Sequence, residues 1–142
     1  MIKFALTSLF VMSVFGCSTN NSVTMDNNDV EIVRNQFQRG RVEFQIINSV
    51  KTLTIVNNDT IEKPTTIENW NKVNSLISKI NLNTLANLTV PENAKAHQFD
   101  GSAAVHIKIT SDQKEYQTPT YDQGKSPKEI YELDKFLSSL SK

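Results

Sequence analysis

The strict two-residue alternation of Ser-Ala-Ala-Val-His-Ile-Lys-Ile-Thr, residues 102–110, constrains this chain more than any other stretch. Successive side chains of a strand point to opposite faces. Ala103, Val105, Ile107 and Ile109 therefore turn inward, while Ala104, His106, Lys108 and Thr110 turn outward. Wound as a helix, the same residues would be scattered around the whole circumference. Ser-Asp-Gln-Lys at 111–114 supplies a turn, and 115–118 returns as the partner strand. Pro119 ends that strand, because a proline has no N–H to give to a ladder. An antiparallel hairpin is thus the firmest element of the expected fold, and His106 on its outward face reads as a cross-strand packing residue.

Three more strands are expected upstream. Val30, Ile32 and Arg34 share one face of an extended run over 30–37, with Glu31 and Val33 on the other. Gln38-Arg39-Gly40-Arg41 reads as a turn. Val42, Phe44 and Ile46 then alternate with Glu43 and Gln45 as the apolar, core-facing side of a second strand. Residues 50–56 alternate less cleanly, and Asn57-Asn58-Asp59 closes them. Arg34, Arg39 and Arg41 gather around the first hairpin, with Glu31 and Glu43 positioned to neutralise them.

Helical periodicity begins at Thr65-Thr66-Ile67-Glu68, where Thr65 and Glu68 have the spacing of a capping box. Trp70, Val73, Ile77 and Ile80, with Leu76 beside them, give a helix over about 66–80 one apolar face, which puts Trp70 in the core. Leu82, Leu85 and Leu88 recur every third residue, as a short helical turn that stops before Pro91. Near the C-terminus, Ser126-Pro127-Lys128-Glu129 offers an N-cap serine, a proline at the first helical position and an acid at the third. Ile130, Leu133, Phe136, Leu137 and Leu140 follow as the apolar face of a last helix. Strands, a helix, strands and a helix in that order predict an α+β fold, an antiparallel sheet of about five strands with two helices packed on one face. Residues 30–142 suffice for a single domain of this kind.

The first 29 residues have a different character. One positive charge, Lys3, precedes 13 uncharged and mostly apolar residues at 4–16, the outline of a secretory signal. A helix crossing the hydrocarbon core needs about 20 such residues, so a permanent span is not expected. Val14-Phe15-Gly16-Cys17 resembles the lipobox of bacterial lipoproteins, whose cysteine is acylated and becomes the new N-terminus. Residues 1–16 then read as the signal peptide. Residues 17–29 read as the lipidated cysteine and a flexible tether, polar and without periodicity, that spans on the order of 20 Å. Cys17 is the only cysteine, so lipidation leaves no disulfide, no thiol nucleophile and no thiolate metal site. Two or more acyl chains hold a protein stably at a membrane where one holds it marginally. Ser18 and Thr19, with no Asp directly after the cysteine, resemble the sorting pattern of proteobacterial lipoproteins held at the periplasmic face of the outer membrane.

Without Lys3 the 15 basic side chains become 14, against 15 acidic ones, and this balance offers no basic face to nucleic acid. A hydrolytic set of His97, Asp100 and Ser102 is conceivable. Ser102, however, follows a turn glycine and lacks the strained elbow that exposes a nucleophile. The two histidines have no cysteine or acid at ligand spacing, so neither a metal nor another cofactor is expected. The loop over 120–125 has two readings. In one, Tyr121 and Asp122 form a binding rim near a helix N-terminus. In the other, Asp122 bonds its own turn and Gly124 supplies a positive φ.

Three segments, Trp70 to Leu88, Phe99 to Ile109 and Tyr116 to Ile130, together resemble a group of small lipoproteins of the Bacteroidota. That pattern has a tryptophan-led helix, a leucine turn, a hairpin opened by Asp-Gly, and an aromatic-Asp-x-Gly loop before the last helix. The resemblance implies a compartment and a fold but no activity. The expected function is therefore a membrane-anchored periplasmic module of binding or structural type, non-enzymatic, meeting the membrane through its lipid and an envelope protein through its fold. The alternative is an inhibitor or immunity protein that presents the loop over 119–125 to a toxin or an envelope hydrolase.

Overall fold

The computed structural model describes residues 30–99 and 101–141. Residues 1–29, which hold Cys17 and the stretches expected to be a signal peptide and a tether, lie outside the described residues, together with Asp100 and Lys142. The chain forms an α+β fold in which β1 (Glu31–Gln38), β2 (Arg41–Ile47), β3 (Lys51–Val56) and β4 (Asp59–Pro64) run as an antiparallel meander. The helix α1 (Ile67–Ile77) and three short 3-10 turns then carry the chain across the sheet. There β5 (Ala104–Ser111) pairs antiparallel with β1, and its outer edge is shared by β6 (Lys114–Gln117) and the two-residue β7 (Tyr121–Asp122). The sheet order is β4-β3-β2-β1-β5-β6, and α2 (Tyr131–Leu140) closes the fold.

The sheet is larger than the five strands expected. β7 is two residues long, and every residue of β4 is exposed, with Ile61 its one branched apolar side chain. An edge strand held by backbone bonds on one side needs no buried face, so it carries no alternation to read. Its charges and terminal Pro64 also suit an unpaired edge.

The tight turns set the register. Gly40 adopts φ +78 between β1 and β2 and leaves Gln38 opposite Arg41. Asp112 (φ 51) and Gln113 (φ 61) supply, between β5 and β6, the two positive φ angles that a type I′ hairpin turn requires.

Both helices pack on one face of the sheet. Trp70, Val73, Leu76 and Ile77 of α1 and Leu133 and Leu137 of α2 share a core with Ile32, Ile47, Val105, Ile107 and Ile109 of the strands. Leu85, in the 3-10 turn Leu82–Asn87, joins them fully buried, as its spacing predicts. The helix cap is Thr66 instead of Thr65, and Thr66 Oγ1 accepts from the Asn69 amide at 3.2 Å. Thr65 faces the sheet, with its hydroxyl 3.0 Å from that of Thr52. α2 starts at Tyr131, later than expected, because Ser126 and Pro127 are spent on a preceding turn in which the Ile130 amide reaches Pro127 O.

The face assignment of β2 is inverted relative to the expectation. Glu43, Gln45 and Ile47 point to the helices, while Val42, Phe44 and Ile46 occupy the opposite face and are half-buried. Alternation groups residues by face, but it does not say which face the helices take. The β1–β2 turn pairs Val42 with Phe37, Phe44 with Asn35 and Ile46 with Val33, all on the side away from the core.

Candidate functional site

Tyr121 and Asp122 do not form an exposed rim, since both are buried beside β5, opposite Val105 and Ala104. Asp122 instead ties down the 3-10 turn Ala96–Gln98. Its Oδ1 accepts from the His97 amide at 2.8 Å and from His97 Nδ1 at 2.7 Å, and its Oδ2 accepts from the Ala96 amide at 3.0 Å. Burial alone would raise the Asp122 carboxyl. The bonds from His97 and Ala96, with the Lys125 ammonium 3.6 Å away, outweigh it and hold the group below its usual range. His97 is thereby committed to Asp122. Gly124 takes φ +78, as the turn reading expects.

His106 stands on the sheet face away from the helices. Asn35 Nδ2 lies at hydrogen-bond distance, 2.8 Å, from His106 Nε2, and burial lowers its pKa. Its ring stacks on Phe37 at 5.8 Å, and Phe37 meets Phe44 edge-on at 5.7 Å. Among the described residues, no group of three or more His, Cys, Asp or Glu side chains is placed to hold a metal ion.

Two features of the surface stand apart from this internal bonding. The first is the outer face of the sheet, where Val33, Val42, Phe44, Ile46, Leu53 and Ile55 lie half-buried with Phe37 more exposed at their edge. No described helix packs over them. Around them lie Glu31, Lys108 with Glu115, and Lys51 with Glu62, the two lysines each 3.0 Å from their glutamate.

The second is a cavity of about 400 Å3 between α2 and the loop after β7, lined among others by Arg34, Asp134, Lys135, Tyr131, Gln123 and Ser138. Arg34 and Asp134 are 2% and 4% exposed. Arg34 Nε donates to Asp134 Oδ1 at 2.8 Å, and Nη1 donates to Gln36 Oε1 at 3.0 Å. Arg34 thus belongs to the interior and not to the arginine cluster expected around the first hairpin, where Arg41 and Glu43 do pair at 3.0 Å. Burial, and then the nearby Asp134 carboxylate, push the Tyr121 phenol far above its usual range. Gln45, across the ladder from Arg34, is fully buried, and neither amide atom has a hydrogen-bond partner among the described residues.

The sequence alone does not bring Arg34 to Asp134, although both halves of the pair leave a trace there. Arg34 is in phase with Val30 and Ile32, which places a permanent charge inward. Asp134 lies four residues after Ile130 and three before Leu137, on the apolar stripe of α2. An inward arginine on a strand calls for an inward acid. Comparison of the chain with protein-family models, with curated proteins and with solved structures finds no match.

Proposed function

We propose that this chain is a lipid-anchored, non-enzymatic binding protein of the bacterial envelope, carried on Cys17 at the periplasmic face of the outer membrane. It engages an envelope protein through the outer face of its sheet. The observation that carries the reading is that face itself, with six half-buried apolar side chains and the more exposed Phe37 in register on β1, β2 and β3 and no described layer above them. A contiguous, partly exposed apolar face of this kind is suited to an interaction site. An apolar centre inside a polar rim is the anatomy of a protein interface. The rim charges favour a protein over an anionic lipid surface, because the two lysines are paired and Glu31 leaves the set net negative. The stretch Val14-Phe15-Gly16-Cys17 supports the anchor, and the tether allows the domain to reach on the order of 20 Å from the bilayer.

The test is photocrosslinking in living cells, with the crosslinker placed at Ile46 or Leu53 on the sheet face and, as the control, at Glu132 on α2. The expected result is one discrete adduct from the sheet positions alone, abolished by Phe44→Glu, with an envelope protein as the crosslinked mate. An adduct of twice the chain's own mass, or none from either sheet position, would sink the reading.

A further inference from the structure

The cavity beside α2 is a separate matter from the sheet face. Its floor is an arginine that cannot lose its charge, held rigid because Asp134 takes Nε and Gln36 takes Nη1. These two partners leave the Nη2 edge of the guanidinium unengaged by either, and Arg34 is among the groups that line the cavity. At the mouth, Lys135 is exposed, its ammonium 5.8 Å from the centre of the Tyr131 ring. The charged groups of the lining are thus two cations and one anion, and the anion is already matched by Arg34. A guest therefore meets a net charge of plus one, an amide from Gln123, a hydroxyl from Ser138 and the Tyr131 ring. The volume of about 400 Å3 lies within the range of small-molecule sites.

We infer that this cavity binds a small monocarboxylate, its carboxylate directed to Arg34 and Lys135 and its apolar body along Tyr131. A singly charged carboxylate suits the Nη2 group, which neither Asp134 nor Gln36 engages and which can give it a charge-assisted hydrogen bond, and it neutralises the surplus charge of the site. A divalent phosphate would leave one negative charge uncompensated in a half-enclosed place. Such a carboxylate belongs either to a free organic acid or to the C-terminus of a peptide. The inference does not depend on the anchor or on the sheet-face partner.

The experiment is an amide-resonance titration of the full-length chain, purified in detergent, with butyrate, butyramide, inorganic phosphate, and a leucine-ended tripeptide in free and amidated forms. Butyrate at about 10 mM, which would largely saturate a site with a Kd near 1 mM, is expected to shift Gln123, Gly124, Lys135 and Ser138. Butyramide and the amidated peptide are expected to leave them in place. Tighter binding by the free-ended tripeptide assigns the source to a peptide terminus, and exclusion of the tripeptide assigns it to a free acid. Replacing Arg34 endangers the fold, so the variant is Lys135→Glu on the exposed rim. It should weaken butyrate binding at least about tenfold with an unchanged thermal midpoint. Equal response to butyrate and butyramide, preference for phosphate, shifts confined to other residues, or full affinity in Lys135→Glu would overturn the assignment.

Discussion

Removing one partner of the Arg34–Asp134 pair should cost more than removing both. The two side chains are 2% and 5% exposed, with Nε and Oδ1 2.8 Å apart, so each charge has given up water in exchange for the other. Unit charges about 4 Å apart attract by about 4 kcal/mol at an effective dielectric of about 20. In Asp134→Ala, Arg34 keeps Gln36 Oε1 but no counter-charge, and breaking a buried pair in this way costs about 3–5 kcal/mol. Small domains have about 5–15 kcal/mol in total. At about 4 °C or more for each kcal/mol, the thermal midpoint should fall by at least about 12 °C. Arg34→Met should do similar damage, because it strands the Asp134 carboxylate. The double variant Arg34→Met/Asp134→Leu buries apolar groups of similar bulk and should lie within about 1 kcal/mol of wild type. Urea unfolding followed by Trp70 fluorescence, with the slope required to stay constant, measures all three. The reasoning is refuted if a single replacement costs less than about 1 kcal/mol, or if the double variant is as unstable as the singles summed.

Three smaller perturbations test other parts of the structure. Asp122→Asn should speed hydrogen exchange at the Ala96 and His97 amides. Because the folded carboxyl titrates below its ordinary 3.8, its contribution is present above that pH and lost as pH falls through the lowered value, and the variant should lose that part of the acid dependence. His106 should titrate below its ordinary 6.5 by NMR. The unfolded chain then takes the proton first, so stability is full above pH 6.5, declines as pH falls below it, and declines less in His106→Gln. Gln113→Gly should raise stability by about 0.5–1 kcal/mol in urea unfolding, since a left-handed residue with a Cβ is strained and glycine is not.

The parts of the fold legible in the sequence are those where a buried face repeats. Val105, Ile107 and Ile109 specify their strand, Trp70, Val73 and Ile77 their helix, and Leu85 its turn, because burial demands apolar side chains at the period of the backbone. β4 is held by backbone bonds that any sequence can make, and its exposed side chains carry no such demand. The inversion of β2 has a different origin. This sheet has apolar residues on both faces, and only the position of the helices, a long-range matter, decides that Gln45 is interior and Phe44 is not. The candidate sites were hidden for the same reason. Tyr121 and Asp122 look like a surface loop until β7 places them against β5. Arg34 and Asp134 are 100 residues apart and become a pair only when α2 closes over β1.

The envelope location in the proposed function rests on the lipid on Cys17. It is tested by growing cells with labelled palmitate and comparing wild type with Cys17→Ala by membrane fractionation. The account predicts that the wild-type chain carries the label and sediments with the outer membrane, and that both the label and the membrane association disappear in Cys17→Ala. A wild-type chain that carries no label, or a Cys17→Ala chain that still fractionates with the outer membrane, would contradict it.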